Sequence, residues 1–138
     1  MTRPEIETLA KRWLALWQGG DLADFDAIHA EHFIDHSPAG RGTDRAAFRA
    51  GIAALYEAFP DFHAALTLLA IDEPQQFATL HWTATGRHAA PFLDHAPSHR
   101  VIHVTGIEII ACRSHQITAR WGEWNEPAIL QQLDGPIR

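Results

Sequence analysis

Cysteine occurs once, at Cys112, and lysine once, at Lys11. A lone cysteine excludes an intrachain disulfide and any zinc site built from thiolates. Basic residues are also scarce: eleven against seventeen acidic side chains, for a net charge of −6 with histidine neutral. Nucleic acid and anionic membranes need a basic footprint, so neither is expected as the main partner. Long apolar runs are missing. The stretch from Ala64 to Ile71 is interrupted by Thr67 and falls far short of the ~20 residues that span a bilayer. Met1 to Glu5 leads into charged helix without the apolar segment of a signal peptide, so a cytoplasmic location is expected. What remains is an ordinary globular composition, 46% hydrophobic and 20% charged over 138 residues. That length predicts one domain, residues 1–138, with a core and room for an internal pocket holding a hydrophobic small molecule.

Hydrophobic periodicity changes near Pro60. Before it, Thr2-x-x-Glu5 with Pro4 reads as a capping box. Ile6, Leu9, Ala10, Trp13, Leu16 and Trp17 then recur at helical spacing. Gly19-Gly20 ends that helix, and Asp21 is placed to cap a second one carrying Leu22, Phe25 and Ile28. Phe33 and Ile34 follow, with a loop from Ser37 to Gly42. A third helix after Asp44 carries Phe48, Ile52, Leu55 and Phe59 on one face. Beyond Pro60 the period falls to two, predicting strands at 62–72, 76–87, 100–112 and 116–124, then a short helix from Pro127 to Leu133. Helices followed by neighbouring strands predict an α+β fold, with N-terminal helices packed on a curved antiparallel sheet that leaves a cone-shaped cavity.

Several stretches carry a resemblance in one order along the chain. Asp35-His36-Ser37-Pro38-Ala39-Gly40, Phe59-Pro60-Asp61-Phe62, Thr83 to His88 and Pro91-Phe92-Leu93 resemble segments of SnoaL-like polyketide (ester) cyclases. Thr105 to Ile110, Ile117 to Trp124 and Gln131-Gln132-Leu133 resemble the same family's last strands and tail. This resemblance implies the ketosteroid-isomerase-like α+β barrel. It also implies a dimeric, cofactor-free enzyme that closes a ring by intramolecular aldol reaction on a polycarbonyl substrate. Such a reaction needs a base, a donor for the developing oxyanion and a cavity that folds the substrate.

The family's usual acid/base is an aspartate, and this chain has Asn125 at that position. An amide cannot take the proton. Glu123 is the nearest substitute, two residues back, but about 7 Å of strand separates the two, so it would act on a different substrate atom. The plain alternatives are a rim carboxylate for Glu123 and a helix cap for Asn125. Among the ten histidines, His36, His88 and His103 are the candidates for ligand contact, with His88 and His103 as possible bases. No histidine spacing makes a metal site: Pro97 breaks His95-x-x-x-His99, and no H-E-x-x-H motif occurs. Phe62, Trp82, Phe92 and Trp121 are candidate pocket walls. Strand parity puts Trp121 inside with Glu123 and Asn125, and puts Arg120 and Trp124 on the opposite face, toward a homodimer partner. Strands apolar on both faces, as at Ile102, Val104, Ile109 and Ile110, need that second cover. Three functions stay open: a cyclase; a related isomerase or hydrolase using Glu123 or a histidine; and a binding or dimerisation module that kept the cavity and lost the base. A limonene-epoxide-hydrolase-like site would need an Asp-Arg-Asp group around a water, which the sequence does not present.

Overall fold

The structure, a computed structural model, describes residues 1–134. Thr2 caps α1 (Arg3–Ala15), and its hydroxyl and the Glu5 carboxylate form the reciprocal capping box that the sequence signature predicts. Helix α1 buries Ile6, Leu9, Ala10, Trp13 and Leu14. The second helix is shorter than its apolar spacing suggests, because Asp21 spends its side chain on a turn, accepting from the Ala23 N–H at 2.9 Å. Only Phe25–Ile28 is helical, as α2. Asp44 caps α3 (Arg45–Ala58) by accepting from the Ala47 N–H, and α4 spans Glu126–Asp134.

Five strands form one sheet: β1 (His29–Asp35), β2 (His63–Asp72), β3 (Phe77–Arg87), β4 (Val101–Arg113) and β5 (Gln116–Trp124), in the order β1-β5-β4-β3-β2. The four expected strands are present within one residue at each end and pair antiparallel. Strand β1 is an addition and a correction to the all-antiparallel expectation, since it lies parallel to β5 at the sheet edge. Its sequence hid it. Four of its seven residues are histidine or acidic, yet His29 and Asp35 are fully buried.

The sheet curls around α1 and α3. Its concave side carries Ala78, Leu80, Trp82 and Ala84 of β3 with Ile102, Val104 and Ile110 of β4, all buried. The convex side stays open to solvent, with Ile107 half exposed and Ile109 and Trp121 more than a third exposed. No helix of the described residues is long and apolar enough to cross a membrane.

Candidate active site

Between α3 and the concave sheet lies a cavity of about 820 Å³. Phe48, Ile52 and Leu55 of α3 form one wall, and Phe62, Trp82, Phe92 and Trp124 close the others. Such a lining, mostly apolar with aromatic walls and several charged groups, is typical of small-molecule sites. Phe92 comes from the loop 88–100 and packs edge-on against both Phe59 and Trp124. That loop is pinned by His88, whose Nδ1 accepts from the Ser98 N–H at 3.0 Å. The accepting role leaves the ring proton on Nε2, and burial lowers the His88 pKa, so the ring is a neutral anchor.

The floor of the cavity is ionic. Arg120 of β5 donates from Nε to Glu108 Oε2 at 2.9 Å and from Nη2 to Glu108 Oε1 at 3.1 Å. Its Nη1 donates to Asp35 Oδ1 at 2.9 Å, and its guanidinium lies over the Phe48 ring. Asp35 also accepts from the Ser37 N–H at 2.9 Å and from Arg41 Nη2 at 3.2 Å. Gly122 keeps this group in reach of the cavity: a Cβ there would stand 2.1 Å from Glu108 Oε2 and 2.3 Å from Arg120 Nη2. Burial pushes the Glu108 carboxyl up to about 7, against the pull of the Arg120 charge and with the Asp35 charge adding to the rise. Asp35 has a second cation in Arg41, whereas Glu108 has Arg120 alone, so the cost of burial falls on the Glu108 carboxyl. A carboxyl raised toward neutrality at the base of a cleft is a candidate for acid–base chemistry, and buried ion pairs raise carboxyls in the same way.

Residues 7–133 match the family of SnoaL-like polyketide cyclases. The chain belongs to that family. No curated protein matches it. Among solved structures, this SnoaL-like protein is similar to TsrD from Streptomyces laurentii (TM-score 0.87, 22% identity, covering 97% of this chain and 98% of that one). It is also similar to AclR, a proposed hydroxylase from Streptomyces galilaeus (0.85, 18%, 96% and 97%). IdmH, a proposed polyketide cyclase from Streptomyces antibioticus, follows (0.83, 21%, 94% and 99%). At these identities the likeness speaks for the cone-shaped fold.

Phe62, Trp82 and Phe92 line the cavity of this SnoaL-like protein, and Glu123 is exposed at its border. The other candidates lie elsewhere. Asn125 is exposed and caps α4, accepting from the Ala128 N–H at 3.2 Å. His103 is exposed, and its main-chain groups pair with the Gln132 side chain. His36 stacks on Trp121 with ring centroids 4.6 Å apart, away from the cavity lining. His88 is buried behind Phe59.

The strand parity of β5 is the reverse of the expectation. Arg120 and Trp124 face the cavity, and Trp121 lies on the convex face beside Phe77. The apolar-inside rule fails here because a charged side chain is buried with its two partners and the tryptophan is left to cover the outer sheet. A carboxylate–guanidinium–carboxylate group is likewise assembled, from Asp35, Arg120 and Glu108 on three strands, where the sequence offered none. Glu108 did leave one trace: it shares parity with Ile102, Val104 and Ile110, the buried positions of β4. Groups of histidine, cysteine, aspartate and glutamate suited to a metal are absent among the described residues.

Proposed function

We propose that this protein catalyses a cofactor-independent intramolecular aldol ring closure on a hydrophobic polycarbonyl ester, with Glu108 as the acid/base. The observation that carries the reading is a buried carboxyl with its pKa near 7 at the floor of an aromatic cavity. The ionised Glu108 takes the proton from a carbon flanked by two carbonyls, and the C–H electron pair passes into the enolate. The enolate carbon attacks a second carbonyl of the same molecule, forming the new C–C bond and an alkoxide. Protonated Glu108 returns the proton to that oxygen. Arg120 holds both Glu108 oxygens and fixes the carboxylate plane, while the aromatic walls fold the chain and keep water from quenching the enolate. In this reading Glu108 takes the role that Asn125 lacks, and neither Glu123 nor a histidine is needed.

One observation favours a second reading. Asp35, Arg120 and Glu108 together resemble the acid–base pair of a hydrolase, in which one carboxylate activates water and the other protonates a leaving oxygen. Deuterium exchange separates the two. A β-dicarbonyl ester incubated with the protein in heavy water exchanges its acidic carbon proton under the cyclase reading. Glu108→Gln abolishes that exchange while ligand affinity persists, and Glu123→Gln leaves it in place. Absence of exchange in a wild type that binds the ester, with an epoxide or ester of similar size hydrolysed instead, transfers the assignment to the hydrolase.

We further propose that the protein works as a homodimer through the convex sheet face, where Ile107, Ile109 and Trp121 form an exposed apolar surface.

A further inference from the structure

An enolate made at Glu108 needs a hydrogen-bond donor for its oxygen, and most of the floor guanidinium is already committed to the two carboxylates. Arg120 commits Nε and Nη2 to Glu108 and Nη1 to Asp35. The cavity has one other cation. Arg41, on the loop between β1 and α3, lines it and is 35% exposed. Among the described residues its side chain makes a single hydrogen bond, from Nη2 to Asp35 Oδ2 at 3.2 Å, which leaves Nε and Nη1 to a ligand.

The loop holds this side chain in place before any ligand arrives. The Asp35 N–H donates to the Thr43 carbonyl at 2.8 Å, and the Arg41 N–H donates to the Pro38 carbonyl at 2.9 Å. The side chain lies flat on Gly51 of α3, where a Cβ would stand 2.7 Å from Nε and 2.8 Å from Cδ. A guanidinium braced by a fully buried carboxylate and facing an apolar cavity is a preorganised oxyanion donor. The remaining charged groups at the cavity border are Glu57 on α3, Glu123 on β5 and Glu126 on α4. They oppose the entry of a ready-made anion, so negative charge is favoured only where it is generated inside, next to Arg41.

We propose that Arg41 is a catalytic residue that binds the enolate oxygen, so that the site takes up neutral 1,3-dicarbonyl compounds and stabilises their enolates. The proposal rests on the reading of the cavity as an enolate-forming site.

The test uses 1-phenylbutane-1,3-dione, whose enolate has its own ultraviolet band, and its 2,2-dimethyl derivative, which has no proton between its carbonyls. Wild type is expected to bind both and to ionise the first at a lower pH than free solution does. Arg41→Met should reduce the bound enolate about ten- to a hundredfold, the range for a hydrogen bond to a charged group, with affinity for the dimethyl derivative retained. Arg41→Lys should recover part of the loss. Gly51→Ala, which displaces the guanidinium without removing it, should reproduce the loss. Glu108→Gln should abolish carbon-proton exchange without removing the bound-enolate band, so a wrong base and a wrong donor give different results. An Arg41→Met protein that binds and ionises the dione as wild type does overturns the proposal. A wild type that binds neither compound overturns it together with the cavity reading.

Discussion

Replacing Arg120 with methionine removes the charge and five N–H donors from the floor of the cavity while keeping a side chain of similar reach. The two partners are affected unequally. Asp35 retains the Ser37 N–H and Arg41. Glu108 loses both guanidinium bonds while remaining 4% exposed. Breaking a buried ion pair by removing one partner costs about 3–5 kcal/mol, because the other charge stays behind uncompensated. That figure applies where Glu108 is ionised, above its value of about 7. In the variant the downward pull of Arg120 is gone, so the Glu108 carboxyl rises further and is neutral at pH 5. There the cost falls to that of an under-bonded acid, about 1–3 kcal/mol. Urea unfolding at pH 8 and pH 5, with equal m-values for the two proteins, should therefore show a deficit that shrinks as the pH drops. A deficit under about 1 kcal/mol, or one of the same size at both pH values, refutes the idea of a desolvated Glu108 carboxyl held by the Arg120 guanidinium.

Glu108 should contribute a loss of stability between pH 5 and pH 8, opposed by His29, whose pKa burial lowers to about 4, so the Glu108 part is read as the difference between wild type and Glu108→Gln. A carboxyl raised in the folded state contributes stability that is fully present below its unfolded value of 4.5 and is lost as the pH passes about 7, by roughly 3 kcal/mol at most; Glu108→Gln should remove that slope from the unfolding free energy. Gly122→Ala forces the Glu108 and Arg120 side chains apart and should cost about 1–3 kcal/mol together with the exchange activity, read by denaturation and by deuterium incorporation. Asn125→Ala should cost about 1 kcal/mol through the lost cap of α4 and leave exchange unchanged. Sedimentation at tens of micromolar should find a dimer that Ile107→Glu dissociates, and a wild-type monomer there removes the convex face as an interface.

Helices α1 and α3 and strands β3 and β4 were legible because their burial follows the simple periods: α1 and α3 bury one stripe each, and β3 and β4 alternate. The site was not, because it is made where those periods mislead. Asp35, Glu108 and Arg120 stand at buried positions of three different strands. Read singly, each looks like a solvated charge, and the pairing that makes burial tolerable exists only once β1 docks beside β5. The same pairing reversed the face assigned to Trp121 and Arg120. Asn125 sits immediately before α4, where an amide suffices as a cap. The aromatic walls were easier, since Phe62, Trp82 and Phe92 need only be large and near the strand ends or loop to meet in the cavity.

As the proposed acid/base, Glu108 should exchange a proton near neutral pH inside the cavity. Carbon-13 detection of the glutamate side-chain carboxyls across pH 4 to 9 tests it directly, with Glu108→Gln assigning the resonance. Glu108 should show a midpoint of about 7. A midpoint at or below 4.5, the ordinary glutamate value, would mean that Arg120 keeps the carboxylate permanently charged as a structural ion pair, and would contradict its assignment as the acid/base.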